Sequence, residues 1–226
     1  AAQPSAGDFR PLTGPYQPKG AVTGRAEVAY LVPWGTQAAG RFLASALREG
    51  LRIQSVHKPF TQNGRKYPSG TLIIHVKQNP ASVHETVSKL AAASGAEVVA
   101  ASTSWVEDGI NFGSNYAVTL KRPAVALVWD QPVSSLAAGA ARFVLERQYG
   151  YPVTALRASW LARADLSKFH VIILPPGSEA LAQTAGPAVA DRLKTWVRNG
   201  GALIALGSGV SYLTSPQVAL LATQQE

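Results

Sequence analysis

The run Gly200-Gly-Ala-Leu-Ile-Ala-Leu-Gly-Ser-Gly209 constrains the fold more than any other stretch. Five consecutive apolar residues between glycine pairs are too few for a buried helix. They suit a strand, Ala202–Leu206, buried in a sheet and followed by a tight turn at Gly207-Ser208-Gly209. A strand entering such a turn is the elbow on which many α/β hydrolytic folds carry a nucleophile. Here the elbow holds Ser208, so the second half of the chain is organised around a serine that needs a base.

The flanking segments repeat the same rhythm. Ala124–Trp129 and Phe169–Leu174 are near-continuous apolar strands, and Val153–Leu156 is a shorter one. Between them lie helical patterns: Leu136, Ala140, Phe143 and Val144 after a cap at Ser134 or Ser135, then Val189, Leu193, Trp196 and Val197 before Asn199-Gly200. Strands alternating with helices predict a doubly wound, mostly parallel, flavodoxin-like sheet over 123–226, with the domain allowed to be cut short.

The first half reads differently. Residues 1–25, with Pro4, Pro11, Pro15 and Pro18, predict an irregular lead-in. Glu27–Pro33 is a strand, and Thr36 caps a helix through Glu49 that Gly50 stops. Strands follow at Arg52–Pro59 and Thr71–Lys77. Ser82-Val-His-Glu85 has the form of a capping box and opens a helix ending at Gly95, before a strand at Glu97–Ala101. This β-α-β-β-α-β order predicts a small split-βαβ (α+β) domain over 26–107. Residues 108–122, with Gly109, Gly113 and Ser114-Asn115, read as a linker containing a short strand. The whole chain is therefore α/β, in two domains.

Composition restricts the chemistry. The chain has 226 residues, 46% of them hydrophobic, and no cysteine, which removes disulfides, thiolate metal sites and a cysteine nucleophile. A net charge of +8 is compatible with a polyanionic partner. The basic residues are scattered without a run of five, however, so the balance suits acidic residues placed elsewhere in a longer parent. Phe60-Thr-Gln-Asn-Gly-Arg-Lys-Tyr67 mixes aromatics with cations as a nucleic-acid stacking loop does, but it reads better as a solvated hairpin tip. Trp34 and Trp105 each follow a strand and are candidates for a sugar or peptide surface, or for boundary packing. No apolar run is long enough to span a membrane.

In a doubly wound sheet, ligands bind beyond the carboxyl ends of the strands. Asp130, Glu179 and Ser208 follow three such ends, and with Gly177, Gly207 and Gly209 they form a candidate ligand-binding rim. Ser208 is the candidate nucleophile. It requires a base within hydrogen-bond reach, and His170, the only histidine of this half, sits at the amino end of its strand. His57, His75, His84 and His170 lack paired metal-ligand spacing, so no metal site is expected. The glycines lack the lysine and third glycine of phosphate-binding loops.

Two resemblances follow from particular segments. Phe169-His-Val-Ile-Ile-Leu-Pro-Pro-Gly177 and Leu193-Lys-Thr-Trp-Val-Arg-Asn-Gly-Gly-Ala-Leu-Ile-Ala-Leu-Gly-Ser-Gly209 resemble the class I glutamine amidotransferase-like fold. In its active members a cysteine occupies the elbow and a histidine follows; Ser208 stands there and no histidine follows it. More widely, Lys58–Leu72, Asn111–Asn115, Arg122–Leu127 and Phe169–Gly177 look like the non-catalytic region of large bacterial zinc carboxypeptidases. The resemblance implies an accessory region over about 26–226, for substrate binding or assembly, acting on a peptide or cell-wall polymer. Its partner would be the parent's peptidase domain, which alone would hold zinc through a His-x-x-Glu pair and a distant histidine. A periplasmic or secreted location follows, with a cytoplasmic one as the alternative. The competing functions are a serine hydrolase using Ser208 and a polyanion or nucleic-acid binding module.

Overall fold

A computed structural model describes residues 13–14 and 19–223. The described residues fall in two compact units, one drawn from Ala1–Phe42 and Ile53–Val118, the other from Leu43–Arg52 and Thr119–Glu226. The expected lead-in at 1–25 lies largely outside the described residues.

In chain order the first elements are β1 (Ala21–Thr23), β2 (Ala29–Val32), α1 (Gln37–Arg48), β3 (Gln54–Val56), β4 (Phe60–Gln62), β5 (Arg65–Tyr67) and β6 (Leu72–His75). They are followed by α2 (Val83–Ser94), β7 (Glu97–Ala101), β8 (Asp108–Gly109) and β9 (Ala117–Thr119). One mixed sheet has the order β1-β7-β2-β6-β3-β9. Its centre, β7-β2-β6-β3, is antiparallel throughout. β6 therefore lies between β2 and β3, the separation that defines a split βαβ unit. A second sheet, β5-β4-β8, is built from the Phe60–Tyr67 hairpin and β8. Residues 108–119, expected to form most of a linker, supply β8 and β9 to these sheets, and β1 comes from the expected lead-in.

Local signals account for most boundaries. Thr36 accepts from the Ala39 amide at 3.1 Å and opens α1. Gly95 closes α2 in the left-handed region at φ 78°. The capping box at Ser82 does not form: Ser82 is itself helical, at φ −70° and ψ −2°, and its hydroxyl makes no cap bond. An N-cap side chain reaches the free amides only from an extended backbone. Beneath the hairpin, Phe60 stacks on Tyr67 at 4.9 Å and meets Phe112 edge-on at 5.7 Å, all three rings buried.

The second unit contains β10 (Val125–Trp129), α3 (Ser135–Phe143), β11 (Thr154–Arg157), β12 (Val171–Leu174), α4 (Leu181–Thr184), α5 (Gly186–Arg198), β13 (Ala202–Ala205) and α6 (Val210–Thr214). Its four strands pair in parallel in the order β11-β10-β12-β13. The chain moves one way from β10 to β11, then crosses β10 to lay down β12 and β13. The order therefore reverses between β10 and β12, and this is its topological switch point. Ala126, Val128, Ile172 and Leu174 are buried in the central strands, in one cluster with Leu161, Leu193 and Tyr212. Full burial of each large aliphatic side chain contributes about 1.5–3 kcal/mol.

Two expectations for this unit are corrected. β13 is an edge strand of the described sheet rather than a fully buried one: Leu203 and Ala205 pack on the core, but Ile204 is 45% exposed. The stripe Leu136, Ala140, Phe143 and Val144 does not face the core either. Leu136 is 83% and Phe143 56% exposed, while Ala138 is the buried residue of α3. The small Ala138 lets the helix backbone lie close to the sheet, and the apolar stripe is carried on its outer side. Ser134 caps α3, accepting from the Ala137 amide at 3.3 Å.

Candidate functional site at the carboxyl edge of the parallel sheet

Three loops leave the carboxyl ends of β10, β12 and β13. The first begins at Asp130, with φ +75°, and passes through a cis Gln131–Pro132 bond. The second is Pro175-Pro176-Gly177-Ser178-Glu179 and the third Gly207-Ser208-Gly209.

The second and third loops converge on a small polar cluster. The Ser208 hydroxyl donates to Glu179 Oε2 at 3.0 Å. The Gly177 amide donates to the same carboxylate oxygen at 2.8 Å and, more weakly, to Ser208 Oγ at 3.4 Å. Gly177, Glu179 and Ser208, three of the candidate rim residues, are therefore brought together. Gly207 and Gly209 frame the serine. Gly209 lies so close to the end of β12 that a Cβ there would be 2.8 Å from the Leu174 carbonyl oxygen and 2.9 Å from that of Pro175. Asp130 is not part of the cluster. Its Oδ1 accepts from the Gln131 amide at 2.9 Å, and its Oδ2 lies 3.9 Å from Arg157 Nε on β11.

The turn departs from a nucleophile elbow in one respect. In such an elbow the nucleophile itself occupies the strained position. Here the positive φ, +53°, belongs to Gly207, and Ser208 sits one residue later in a 3-10 turn. Ser208 has no imidazole partner among the described residues of its own unit. His170 lies at the opposite end of β12, where its Nδ1 accepts from the Ala124 amide at 2.9 Å. In the first unit His75 Nε2 is 2.9 Å from Gln54 Oε1, and His84 Nδ1 is 2.8 Å from Tyr30 Oη. Partial burial pushes His75 below the usual histidine range. Among the described residues, no three His, Asp or Glu side chains are grouped to hold a metal ion. Among the same residues, no helix is long and apolar enough to cross a membrane.

The crevice at the switch point is closed by main chain. The Ser134 amide donates to the Pro176 carbonyl at 2.9 Å, joining the loops after β10 and β12. Gly177, at φ +93°, presses against the same segment: a Cβ there would be 2.6 Å from Ser134 N, 2.7 Å from Pro132 O and 2.9 Å from Val133 Cα. The place where this topology usually admits a ligand is therefore filled. A cavity of about 470 Å³ opens beside this closure, lined by Gln131 and Pro132 after β10, Ser159 after β11, and Leu181 and Thr184 of α4 among others.

Sequence reasoning did not single out this cavity, whose lining comes from turns and short helices without a motif. Nor did it single out two buried hydroxyls, on Ser178 and Tyr212, that have no hydrogen-bond partner among the described residues. Desolvation pushes the Tyr212 phenol up to about 12. No protein-family model matches the chain, and neither a curated protein nor a solved structure matches it.

Proposed function

We propose that the chain is a non-catalytic accessory region of a larger zinc carboxypeptidase-like protein, exported to the periplasm or beyond. On this reading the second unit is a flavodoxin-like, amidotransferase-like domain whose catalytic elbow has become structural. One observation carries the reading: the loops that would form a site at the switch point are joined to one another, Gly177 against Pro132–Ser134 and Ser208 to Glu179. Ser208 thereby serves as a strut between two turns. What this edge still offers a ligand is the cavity beside Gln131, a contact surface for a peptide or cell-wall polymer held near the parent's peptidase domain.

Intact-mass analysis of the product in its source cells, with peptide mapping onto this chain, tests the parentage. The expected product is much larger and carries a His-x-x-Glu segment upstream; a product bounded near residues 1 and 226 overturns it.

A second reading, a serine hydrolase, is favoured by the 3.0 Å bond from Ser208 to Glu179. A carboxylate is a weaker proton acceptor at neutral pH than the imidazole that usually activates serine. A serine-reactive phosphonate separates the two readings. The accessory role predicts no adduct on Ser208 in the folded protein, and a stoichiometric adduct there establishes the hydrolase instead.

A further inference from the structure

The first unit holds an exposed tryptophan on a loop fixed from beneath. Trp105 is 72% exposed, an arrangement that apolar burial opposes and that a ligand would reverse. The loop owes its position to Gln62, a polar residue of β4 that is only 2% exposed. The Gln62 amide donates to the carbonyl of Thr103 at 2.7 Å and to that of Trp105 at 3.3 Å. The Trp105 amide donates to Thr103 Oγ1 at 3.1 Å. Two residues further on, the Glu107 amide donates to the Thr61 carbonyl at 2.9 Å, tying the loop to β4. Both main-chain polar groups of Trp105 are thus held, and the indole is presented outward on a rigid support.

Beside the indole is a cavity of about 610 Å³, whose lining includes Thr103, Ser104, Asn111 and Phe112. Asn111 Oδ1 accepts from the Gly113 amide at 3.1 Å, which leaves its NH₂ group as the side chain's remaining donor. The Ser104 hydroxyl has no hydrogen bond among the described residues. None of the described residues lining the cavity is charged.

We propose that this loop and cavity bind a neutral sugar chain. The indole face carries partial negative charge, and one face of a pyranose presents C–H groups that are apolar and weakly positive. A sugar stacked on Trp105 would direct its hydroxyls to the neutral rim, where Asn111 and Ser104 supply hydrogen-bonding groups of matching type. A nucleic acid needs cations for its phosphates, and the rim has none. Proline-rich peptides use grooves lined by several aromatics, but Phe112 is 2% exposed, leaving one indole. The inference goes beyond the accessory reading and uses only residues of the first unit, so its failure leaves the phosphonate and mass tests standing.

The test is a titration of the full chain with chitohexaose and with cellohexaose, followed by tryptophan fluorescence and calorimetry. Saturable binding of at least one is expected, unchanged between about 50 and about 500 mM salt because no phosphate contact is involved. Trp105→Ala is expected to weaken it about tenfold or more, as loss of an aromatic stacking platform does. Asn111→Ala should weaken it several-fold, and Trp160→Ala, an exposed indole of the second unit, should leave it unchanged. The proposal is overturned if neither sugar binds, if Trp105→Ala binds as tightly as the parent chain, or if decaproline binds at Trp105 and the sugars do not.

Discussion

Gly177→Ala tests the closure of the switch point directly. An added Cβ would lie within 3.0 Å of three main-chain atoms, Ser134 N, Pro132 O and Val133 Cα, none of which can rotate away. At φ +93° alanine is strained whatever the space, a cost of about 1 kcal/mol. Forcing the loops apart adds about 1–3 kcal/mol of overpacking. Lengthening the 2.9 Å bond from Ser134 N to the Pro176 carbonyl adds about 1 kcal/mol. The expected loss is therefore about 3–5 kcal/mol, or on the order of 10–20 °C in the melting of a unit this size. Two reference substitutions isolate the contact. Gly186→Ala, at φ +71° with nothing within 4 Å, should show the strain alone, about 1 kcal/mol. Gly139→Ala, inside α3 with open space around it, should stabilise by about 0.5–1 kcal/mol. Thermal melts are read together with amide exchange of Leu127 and Ile172, which reports this unit separately from the other. Equal losses for Gly177→Ala and Gly186→Ala would refute the argument that the loops are in contact.

Other consequences are open to measurement. Tyr212→Phe removes a buried hydroxyl that has no partner among the described residues and should stabilise the chain by about 1 kcal/mol. Burial pushes the folded phenol up to about 12 from an ordinary 10, so the unfolded chain gives up this proton first and stability falls as pH rises from about 10 toward 12. Alkaline unfolding of Tyr212→Phe should accordingly be shallower over that window, and identical pH profiles would count against the burial. In the first unit Arg65 grips Glu97 with bonds of 2.5 and 2.8 Å, and these hold the Glu97 carboxyl below the usual range against a smaller effect of desolvation. A lowered carboxyl pKa stabilises above the unfolded value and loses that stabilisation as pH falls through the folded one. Both side chains are well exposed, so a double-mutant cycle of Arg65→Met and Glu97→Gln should give about 0.2–1 kcal/mol at neutral pH and about zero near pH 2. Leu136→Gln, at a position 83% exposed, should change stability by less than about 0.5 kcal/mol; a loss above about 2 kcal/mol would place Leu136 in the core.

Much of this architecture is legible in the sequence because the signals are local. Thr36, Ser134 and Gly95 mark helix ends through contacts within four residues, and the apolar runs of β10 and β12 are buried as their composition predicts. What fails depends on neighbours that no window contains. The run Ala202–Leu206 has the composition of a central strand, yet pairing on one side only leaves Ile204 open. The helical period around Leu136 identifies a stripe correctly but not the side on which the sheet lies. At the candidate site, alternation places Gly177, Glu179 and Ser208 at strand ends that prove to be adjacent. Asp130 is drawn away by Arg157, a residue 27 positions later in the chain. The support beneath Trp105 was illegible for the same reason: Gln62 looks like a hairpin residue until the fold carries its amide under a loop 41 positions away.

The outer margin of β13 bears on how the chain behaves when many copies renature together. Its main-chain donors and acceptors on that side have no strand partner in the described sheet, and the segment Ala202–Ala205 carries neither lysine nor proline to deter one. Intramolecular closure of the sheet is first order in protein, whereas pairing of two such margins is second order. Refolding yield should therefore fall as concentration rises, and Ile204→Lys, which puts a charge on that margin, should flatten the dependence.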